Sequence, residues 1–194
     1  MPTKEPSLET FLRLWTVEDY HRMVEVGILQ PDESVELIAG QIIRIISPQG
    51  RPHSSAIRRT RRLLEKALGE QVFVQTQLPI QLNNYSEPEP DVAVVRPDSR
   101  DYIDHHPTAS DVYLIVEVAD STLKKDRDIK AKEYAASGIE DYWLLDVENR
   151  QLYVFQDPTS EGYQQQLILP EDETVTPQRF PEIRVKIQDI LPLT

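Results

Sequence analysis

A strand, a helix and a second strand follow one another between residues 111 and 147, and this segment limits the possible folds more than any other. The run DVYLIVEVA at 111–119 is almost continuously apolar, as is typical of a strand buried on both faces. KKDRDIKAKEYAASG has a helical composition and ends near Gly138, and DYWLLDV at 141–147 is a second apolar run. This spacing predicts a right-handed βαβ unit with two parallel strands, and hence an α/β fold.

A helix and a β-hairpin are predicted near the N-terminus. The helix spans residues 16–27, with Thr16 as N-cap, Asp19 three residues later and Gly27 as the stop. In SVELIAGQIIRIIS, two β-branched runs flank the dipeptide Ala39-Gly40, which predicts a hairpin with a two-residue turn. A further helix is expected over 52–69, with strands near 72–75, 78–82 and 91–95 and short strands within 151–193.

Length, cysteine content and net charge narrow the class of protein. The 194 residues suffice for one domain over 1–194, with a loosely ordered lead-in over 1–14. The absence of cysteine excludes disulfides, thiolate catalysis and thiolate metal sites. No apolar run has the length of a signal-peptide core or a membrane span, so we expect a soluble cytoplasmic protein without membrane contact. The net charge of −12 argues against broad affinity for polyanions.

Two acidic residues stand at the ends of predicted strands. Glu117 lies inside the most apolar strand, where a carboxylate must be paired, protonated or bound to a metal ion because burying an isolated charge is costly. Asp91 begins the predicted strand DVAVV and follows Pro90. Ligands bind at the carboxyl ends of parallel strands, which makes both acids candidates for one site. Two such carboxylates suit Mg²⁺ or Mn²⁺.

A lysine is predicted to face the same site. Asp126, Lys130 and Tyr134 recur every four residues and share one face of the helix that follows Glu117. A right-handed crossover folds this helix over the sheet, so the shared face can look toward Glu117. There, Lys130 could steady an attacking water or stabilise charge on a phosphate. Two carboxylates, a divalent cation and a lysine are a common arrangement for hydrolysing phosphodiesters.

These linked segments resemble the Uma family of putative restriction endonucleases, which belongs to the PD-(D/E)XK nuclease superfamily. The resemblance rests on PDVAVV, on IVEVADSTLKKDRDIK with the following SGIEDYWLLD, and on TVEDYHRMVEVGIL and DESVELIAGQIIRIISPQGRPHS in the first half. It spans roughly residues 15–148. It implies a restriction-endonuclease-like core, with a mixed β-sheet flanked by α-helices after an N-terminal helix and hairpin. It also implies a homodimer.

The resemblance also assigns residues to the site. The acidic pair of the superfamily falls on Asp91 and Glu117, which would bind the metal. Where the superfamily usually has its lysine, two residues after the second acid, this chain has Ala119. The lysine of the Uma family matches Lys130 instead, within a D-R-x-x-K-x-x-x-Y stretch. Glu36 matches an upstream acidic position and is a candidate catalytic residue, as a further ligand in the metal shell.

The second predicted helix carries candidate contacts to nucleic acid. Ile57, Leu64 and Leu68 form its apolar stripe. Its arginines lie on the other sides, and Arg58, Arg59 and Arg62 are candidates for phosphate contacts. The alternative is a solvated basic face, or one that is paired with the chain's many acids. His53, just before these arginines, is expected to have a capping or supporting role.

Each candidate residue could instead have a purely structural role, with no part in a functional site. Glu117 could be half of a buried salt bridge, and Asp91 could be an ordinary strand-start residue. Glu36 could face solvent in an alternating strand. Lys130 could belong to a solvated face, with Lys132 as a rival about 160° away around the helix.

The leading hypothesis is therefore a metal-dependent endonuclease that uses Mg²⁺ or Mn²⁺ to hydrolyse nucleic acid. The expected nucleic acid is DNA. The alternative is a non-catalytic dimeric nucleic-acid-binding or regulatory module on the same fold, which the net charge favours. A third possibility is a protein-interaction domain that binds no nucleic acid.

Overall fold

The computed structural model describes residues 12–30, 32–44, 50–119 and 126–193. The helices are α1 (Val17–Glu25), α2 (Arg51–Leu68), α3 (Ala131–Ala136) and α4 (Ile187–Ile190), with a π-helical turn over Asp126–Lys130 and 3₁₀ turns over Gly69–Gln71 and Ala109–Asp111. The strands are β1 (Val35–Ile38), β2 (Gln41–Arg44), β3 (Phe73–Gln75), β4 (Val92–Val95), β5 (Val112–Ala119), β6 (Asp141–Asp146), β7 (Gln151–Thr159), β8 (Gly162–Pro170), β9 (Thr174–Val175) and β10 (Val185–Lys186).

Six strands form one mixed sheet in the order β3-β4-β5-β6-β7-β8. Strands β5 and β6 run parallel, with Ile115 opposite Tyr142 and Ala119 opposite Asp146, and every other neighbouring pair in this sheet is antiparallel. The predicted α/β fold with a parallel βαβ pair is confirmed. The sequence also predicts a single domain over 1–194, and this stays a prediction.

Helices cover both faces of the central strands. Side chains alternate between the two faces of a strand, so β5 places Val116 and Val118 on one face and Ile115 and Ala119 on the other. Buried residues of α2 and α4 share a core with the first pair. Ala131 and Tyr134 of α3 pack with the second pair. Glu117 shares the parity of Ile115 and Ala119, and therefore lies on the α3 face.

Two predicted strand regions differ from the structure. Residues 78–82 do not form a strand and make only an isolated bridge between Gln81 and Thr108. Pro79 lies in this segment and has no N–H to donate to a ladder. In the C-terminal part, β7 and β8 form a long hairpin of two nine-residue strands rather than short strands. Within the described residues no helix is long and apolar enough to span a membrane.

The N-terminal helix and hairpin form as predicted. Thr16 and Asp19 make a reciprocal capping box at the start of α1. Strands β1 and β2 pair with Ile38 opposite Gln41, so Ala39-Gly40 forms a two-residue turn. Both of its residues have positive φ, 50° and 73°, as a type I′ turn requires. Ala39 thus adopts the left-handed conformation at a cost of about 1 kcal/mol or more, because its Cβ approaches the following carbonyl.

Replacing Ala39 with Asn should raise the free energy of unfolding by roughly 0.5 to 1 kcal/mol, because Asn tolerates left-handed backbone better than Ala. Residue 39 is exposed, so the amide has room in solvent. Urea denaturation measures the change. The control is Ala67→Asn on the exposed side of α2, which should lower stability by about 0.5 kcal/mol because Asn is a poorer helix former. An Ala39→Asn variant no more stable than the parent contradicts the prediction.

Candidate active site

Strand register brings Asp91 and Glu117 together. Strands β4 and β5 are antiparallel with Val92 opposite Val116, so the residue that precedes β4 lies beside the carboxyl end of β5. The backbone N–H of Val118 donates to Asp91 Oδ2 at 2.9 Å, and Asp91 N lies 3.4 Å from Glu117 Oε2. Both carboxylates are buried. The structure therefore places the two predicted acids side by side at the carboxyl end of β5.

Lys130 and Tyr134 reach Glu117 from the helical segment above the sheet. Lys130 Nζ donates to Glu117 Oε1 at 2.8 Å, and the Tyr134 hydroxyl donates to the same oxygen at 2.7 Å. Burial, and then the Glu117 charge, raise the pKa of Tyr134 well above its ordinary value. Lys130 ends the π-helical turn and is only 5% exposed, whereas the rival Lys132 is exposed. The predicted helical face is correct for Lys130 and Tyr134, and the Asp126 side chain lies outside the described residues.

Glu36 joins the same network from the hairpin. It is 1% exposed, so the interpretation of Glu36 as a solvent-facing residue is wrong. Its Oε1 accepts from Lys130 Nζ at 3.1 Å and from the backbone N–H of Glu89 at 3.1 Å. The hairpin is held in place by the bridge between Leu37 and Glu87. Lys130 therefore connects two carboxylates that are far apart in the sequence.

His53 and Gln77 complete the surroundings of Asp91. His53 Nε2 lies 3.1 Å from Asp91 Oδ1, and Gln77 Nε2 donates to the same oxygen at 3.4 Å. The sequence predicts a capping or supporting role for His53 and does not identify its partner. Helical spacing does indicate that His53 faces inward. It is four residues before the buried Ile57 and so lies on the same side of α2. Gln77 lies in an irregular segment and gave no such signal.

Further acids from the loop before β4 surround Glu36. Burial raises the pKa of Glu89, and the neighbouring Glu36 charge raises it further while Lys130 opposes the shift. Glu87 is buried and meets His21 Nε2 at 2.6 Å. The segment NNYSEPEP has the composition of an acidic, proline-rich loop. Its carboxylates lie beside the site because this loop pairs with the hairpin, which no local pattern shows.

The arginines of α2 lie apart from this network. Arg58 and Arg62 are exposed, and Arg59 is half-buried and donates from Nη2 to the carbonyl of Gln188 at 3.3 Å. Arg61 is paired with Glu65 on another side of the helix, with Nε 2.7 Å from the carboxylate. The three predicted contact residues therefore remain on the surface, on the side of α2 that faces away from Asp91.

The carboxylate oxygens of Asp91 and Glu117 are the donor atoms that a divalent cation could use at this site. No cluster of three or more His, Asp or Glu side chains in the described parts of the chain has a geometry that could hold a metal ion. Mg²⁺ commonly uses only one or two carboxylates and completes its shell with water and substrate phosphate, whereas zinc needs three or four protein ligands. A carboxylate accepts about four hydrogen bonds, and Asp91 receives three contacts from His53, Gln77 and Val118. Asp91 and Glu117 are therefore the residues that could hold such a cation.

Comparison with known proteins agrees with the mixed sheet and its flanking helices, which define a restriction-endonuclease-like α/β fold. Residues 17–189 match the family described as "Uma2: Putative restriction endonuclease", and the chain belongs to this family. A solved structure described as a putative nuclease belonging to DUF820, from Anabaena variabilis, superposes with a TM-score of 0.70. It has 17% sequence identity, and the match covers 90% of this chain and 96% of that one, a likeness that shows the fold. A search of curated proteins finds no match.

A separate buried carboxylate lies at the opposite end of the sheet. Asp141 begins β6, which runs parallel to β5, and so lies far from the Glu117 end. It accepts hydrogen bonds from Trp143 Nε1 at 3.0 Å and from the backbone N–H of Gln178 at 2.9 Å. Burial nevertheless raises the pKa of Asp141 to about 6. Asp141 joins the C-terminal segment to the sheet and takes no part in the candidate site.

Replacing Lys130 with Met should lower the free energy of unfolding by about 3 to 5 kcal/mol, because it leaves two buried carboxylates without their cation. Urea denaturation in EDTA measures this, since a divalent cation could otherwise substitute for the ammonium group. The matched control is Lys132→Met on the exposed side of α3, which should change stability by no more than about 0.5 kcal/mol. Equal stability of the two variants contradicts the proposed electrostatic role of Lys130.

The ionisation of Asp141 should make stability fall as pH rises. Its folded pKa of about 6 lies above the unfolded value near 3.8, so the folded state binds the proton more tightly. The stabilisation is complete below about pH 4 and is lost as pH rises to about 6, by roughly 3 kcal/mol for a shift of about two units. Chemical denaturation from pH 4 to 7 measures the free energy of unfolding of the parent and of Asp141→Asn. The value for the parent minus the value for the variant should fall with this slope. A difference that does not vary with pH contradicts the assignment.

Proposed function

We propose that this protein is a Mg²⁺- or Mn²⁺-dependent endonuclease that hydrolyses phosphodiester bonds in nucleic acid, with DNA as the first substrate to test. The observation that supports it most directly is the proximity of two buried acids, Asp91 and Glu117, since the backbone N of Asp91 lies 3.4 Å from Glu117 Oε2 and Lys130 Nζ lies 2.8 Å from Glu117 Oε1. Membership of a family described as "Putative restriction endonuclease" supports the same class of activity.

In this proposal Asp91 and Glu117 hold the divalent cation. When bound, such an ion lowers the pKa of a water ligand and neutralises charge on the phosphate. Lys130 and Tyr134 both donate to Glu117 Oε1 and so fix the carboxylate with its Oε2 toward Asp91. Glu36 positions the ammonium group from the other side. The Lys130 charge would then stabilise negative charge that develops on the phosphate during hydrolysis.

A non-catalytic nucleic-acid-binding or regulatory module is the second candidate. Its support is that Lys130 already forms ion pairs with Glu117 and Glu36, so a metal ion must share these acids with a resident cation. The net charge of −12 also opposes tight binding of a polyanion. Thermal denaturation with increasing Mn²⁺ separates the two. A metal site should raise the melting temperature with concentration, and an unchanged temperature together with DNA binding favours the module.

We also propose that the protein acts as a homodimer, as the family resemblance implies. Sedimentation or light scattering of the full chain measures the mass directly. A mass of 22.4 kDa at working concentration corresponds to a monomer and would contradict the dimer.

Cleavage of plasmid and oligonucleotide DNA with Mg²⁺ or Mn²⁺ tests the nuclease proposal. Asp91→Asn and Glu117→Gln keep the side-chain shapes but remove the charges that bind the ion. Each should lower kcat/KM by about a hundredfold or more, because metal-derived stabilisation of the transition state is worth several kcal/mol. The control is Glu140→Gln, an exposed acid, which should cleave like the parent. Cleavage that survives both site substitutions rules out the proposed site.

A further inference from the structure

A basic groove runs along the outer side of α2. Its volume is about 540 Å³, and the end of the chain at Pro192 and Leu193 forms one wall. The other lining residues all come from α2, and they are Arg51, Pro52, Ser55, Arg58, Arg59 and Arg62. No acidic residue lines it. On a chain with a net charge of −12, this is a local concentration of positive charge.

The groove arginines are available to a ligand. Arg58 and Arg62 are exposed, and no ion pair involves them or Arg51 within the described residues. Arg61, on the same helix, is instead paired with Glu65. The first turn of α2 also contains no acid, so the positive end of the helix dipole is not neutralised there. An anion in the groove would therefore meet guanidinium groups that are not already paired.

The spacing of these residues suits an extended ligand. Arg51, Ser55, Arg58 and Arg62 follow one another at intervals of four, three and four residues, so they form one row on the helix surface. The row is about 16 Å long at 1.5 Å per residue. That length corresponds to roughly five nucleotides of one DNA strand. A single small anion would use only part of such a row.

The row starts in the turn of α2 that borders the candidate active site, on the side of the helix that faces away from Asp91. The first turn of α2 contains both Arg51, which lines the groove, and His53, whose Nε2 lies 3.1 Å from Asp91. A strand that leaves Asp91 has to pass around the start of α2, and there it meets Arg51 first and then Arg58 and Arg62. The acidic surroundings of Glu36, Glu87 and Glu89 lie at the same site and would repel its phosphates. A basic track of this kind therefore compensates locally for the acidic site and the acidic chain.

We propose that this groove binds the sugar–phosphate backbone of the substrate strand where it has left the scissile phosphate and passed around the start of α2, with Arg58 and Arg62 as the principal contacts. That the ligand is a nucleic acid rests on the proposed nuclease function. Arg59 has a different role, because its Nη2 already ties α2 to the carbonyl of Gln188 at 3.3 Å. The groove binds backbone rather than bases, so it supplies affinity without sequence preference.

Binding can be measured without cleavage. Fluorescently labelled single-stranded DNA, duplex DNA and RNA of one sequence are titrated in EDTA with the full chain, and anisotropy is followed from 50 to 200 mM salt. The Arg58→Ala/Arg62→Ala variant should bind at least one of these about tenfold more weakly at 100 mM salt. The slope of log K against log salt concentration should become shallower by about 1.4 to 1.8, because each lost phosphate contact contributes about 0.7 to 0.9. Arg61→Ala is the matched control and should keep the parent slope.

The outcomes separate the groove from the nuclease proposal. Arg58- and Arg62-dependent binding without metal-dependent cleavage supports the groove and overturns the nuclease proposal. Cleavage that depends on Asp91 but has the same KM in the parent and the double variant overturns the groove alone. Equal losses of affinity in Arg61→Ala and in either single variant, Arg58→Ala or Arg62→Ala, also overturn it, since they would reflect net charge rather than a defined track. The strand type with the steepest arginine-dependent slope identifies the nucleic acid that the groove accepts.

Discussion

The charge of Glu117 inside an apolar strand is the constraint on which the rest of the site depends. A carboxylate buried there is tolerable only with a compensating cation, and Lys130 supplies it at 2.8 Å. Because Lys130 also contacts Glu36 at 3.1 Å, the same ammonium group links the central sheet, the helical segment and the N-terminal hairpin. One electrostatic requirement therefore fixes the relative positions of three parts of the chain.

This linkage explains the local irregularities around the site. The π-helical turn ends at Lys130, where regular α-helix begins at Ala131, and such turns occur often at functional sites. The left-handed residue Ala39 closes the hairpin that carries Glu36. The hairpin turn is held in turn by the loop before β4, since Ala39 N donates to Ser86 Oγ at 2.8 Å. Each irregularity lies on an element that delivers one charged group to the centre.

The distribution of charge also reconciles the acidic chain with the proposed nucleic-acid substrate. Carboxylates collect around Lys130, where a divalent cation would offset part of their charge. Arginines collect instead on the outer side of α2, away from Asp91. The separation of arginines from carboxylates matters because guanidinium groups near Glu36 or Glu117 would pair with those acids and could not bind a ligand. A net charge of −12 is therefore compatible with a locally attractive surface.

The sequence by itself determined the βαβ unit, the capped first helix, the hairpin and the shared face of Lys130 and Tyr134, because periodicity and turn chemistry are local properties. Tertiary structure alone decided that Asp91 lies beside Val118, that Glu36 is buried against Lys130, and that Glu89 adds its charge to the site. These contacts depend on strand register and on loop docking between residues 26 to 94 positions apart. Such pairings are set by the packing of the whole sheet, for which a local pattern carries no signal.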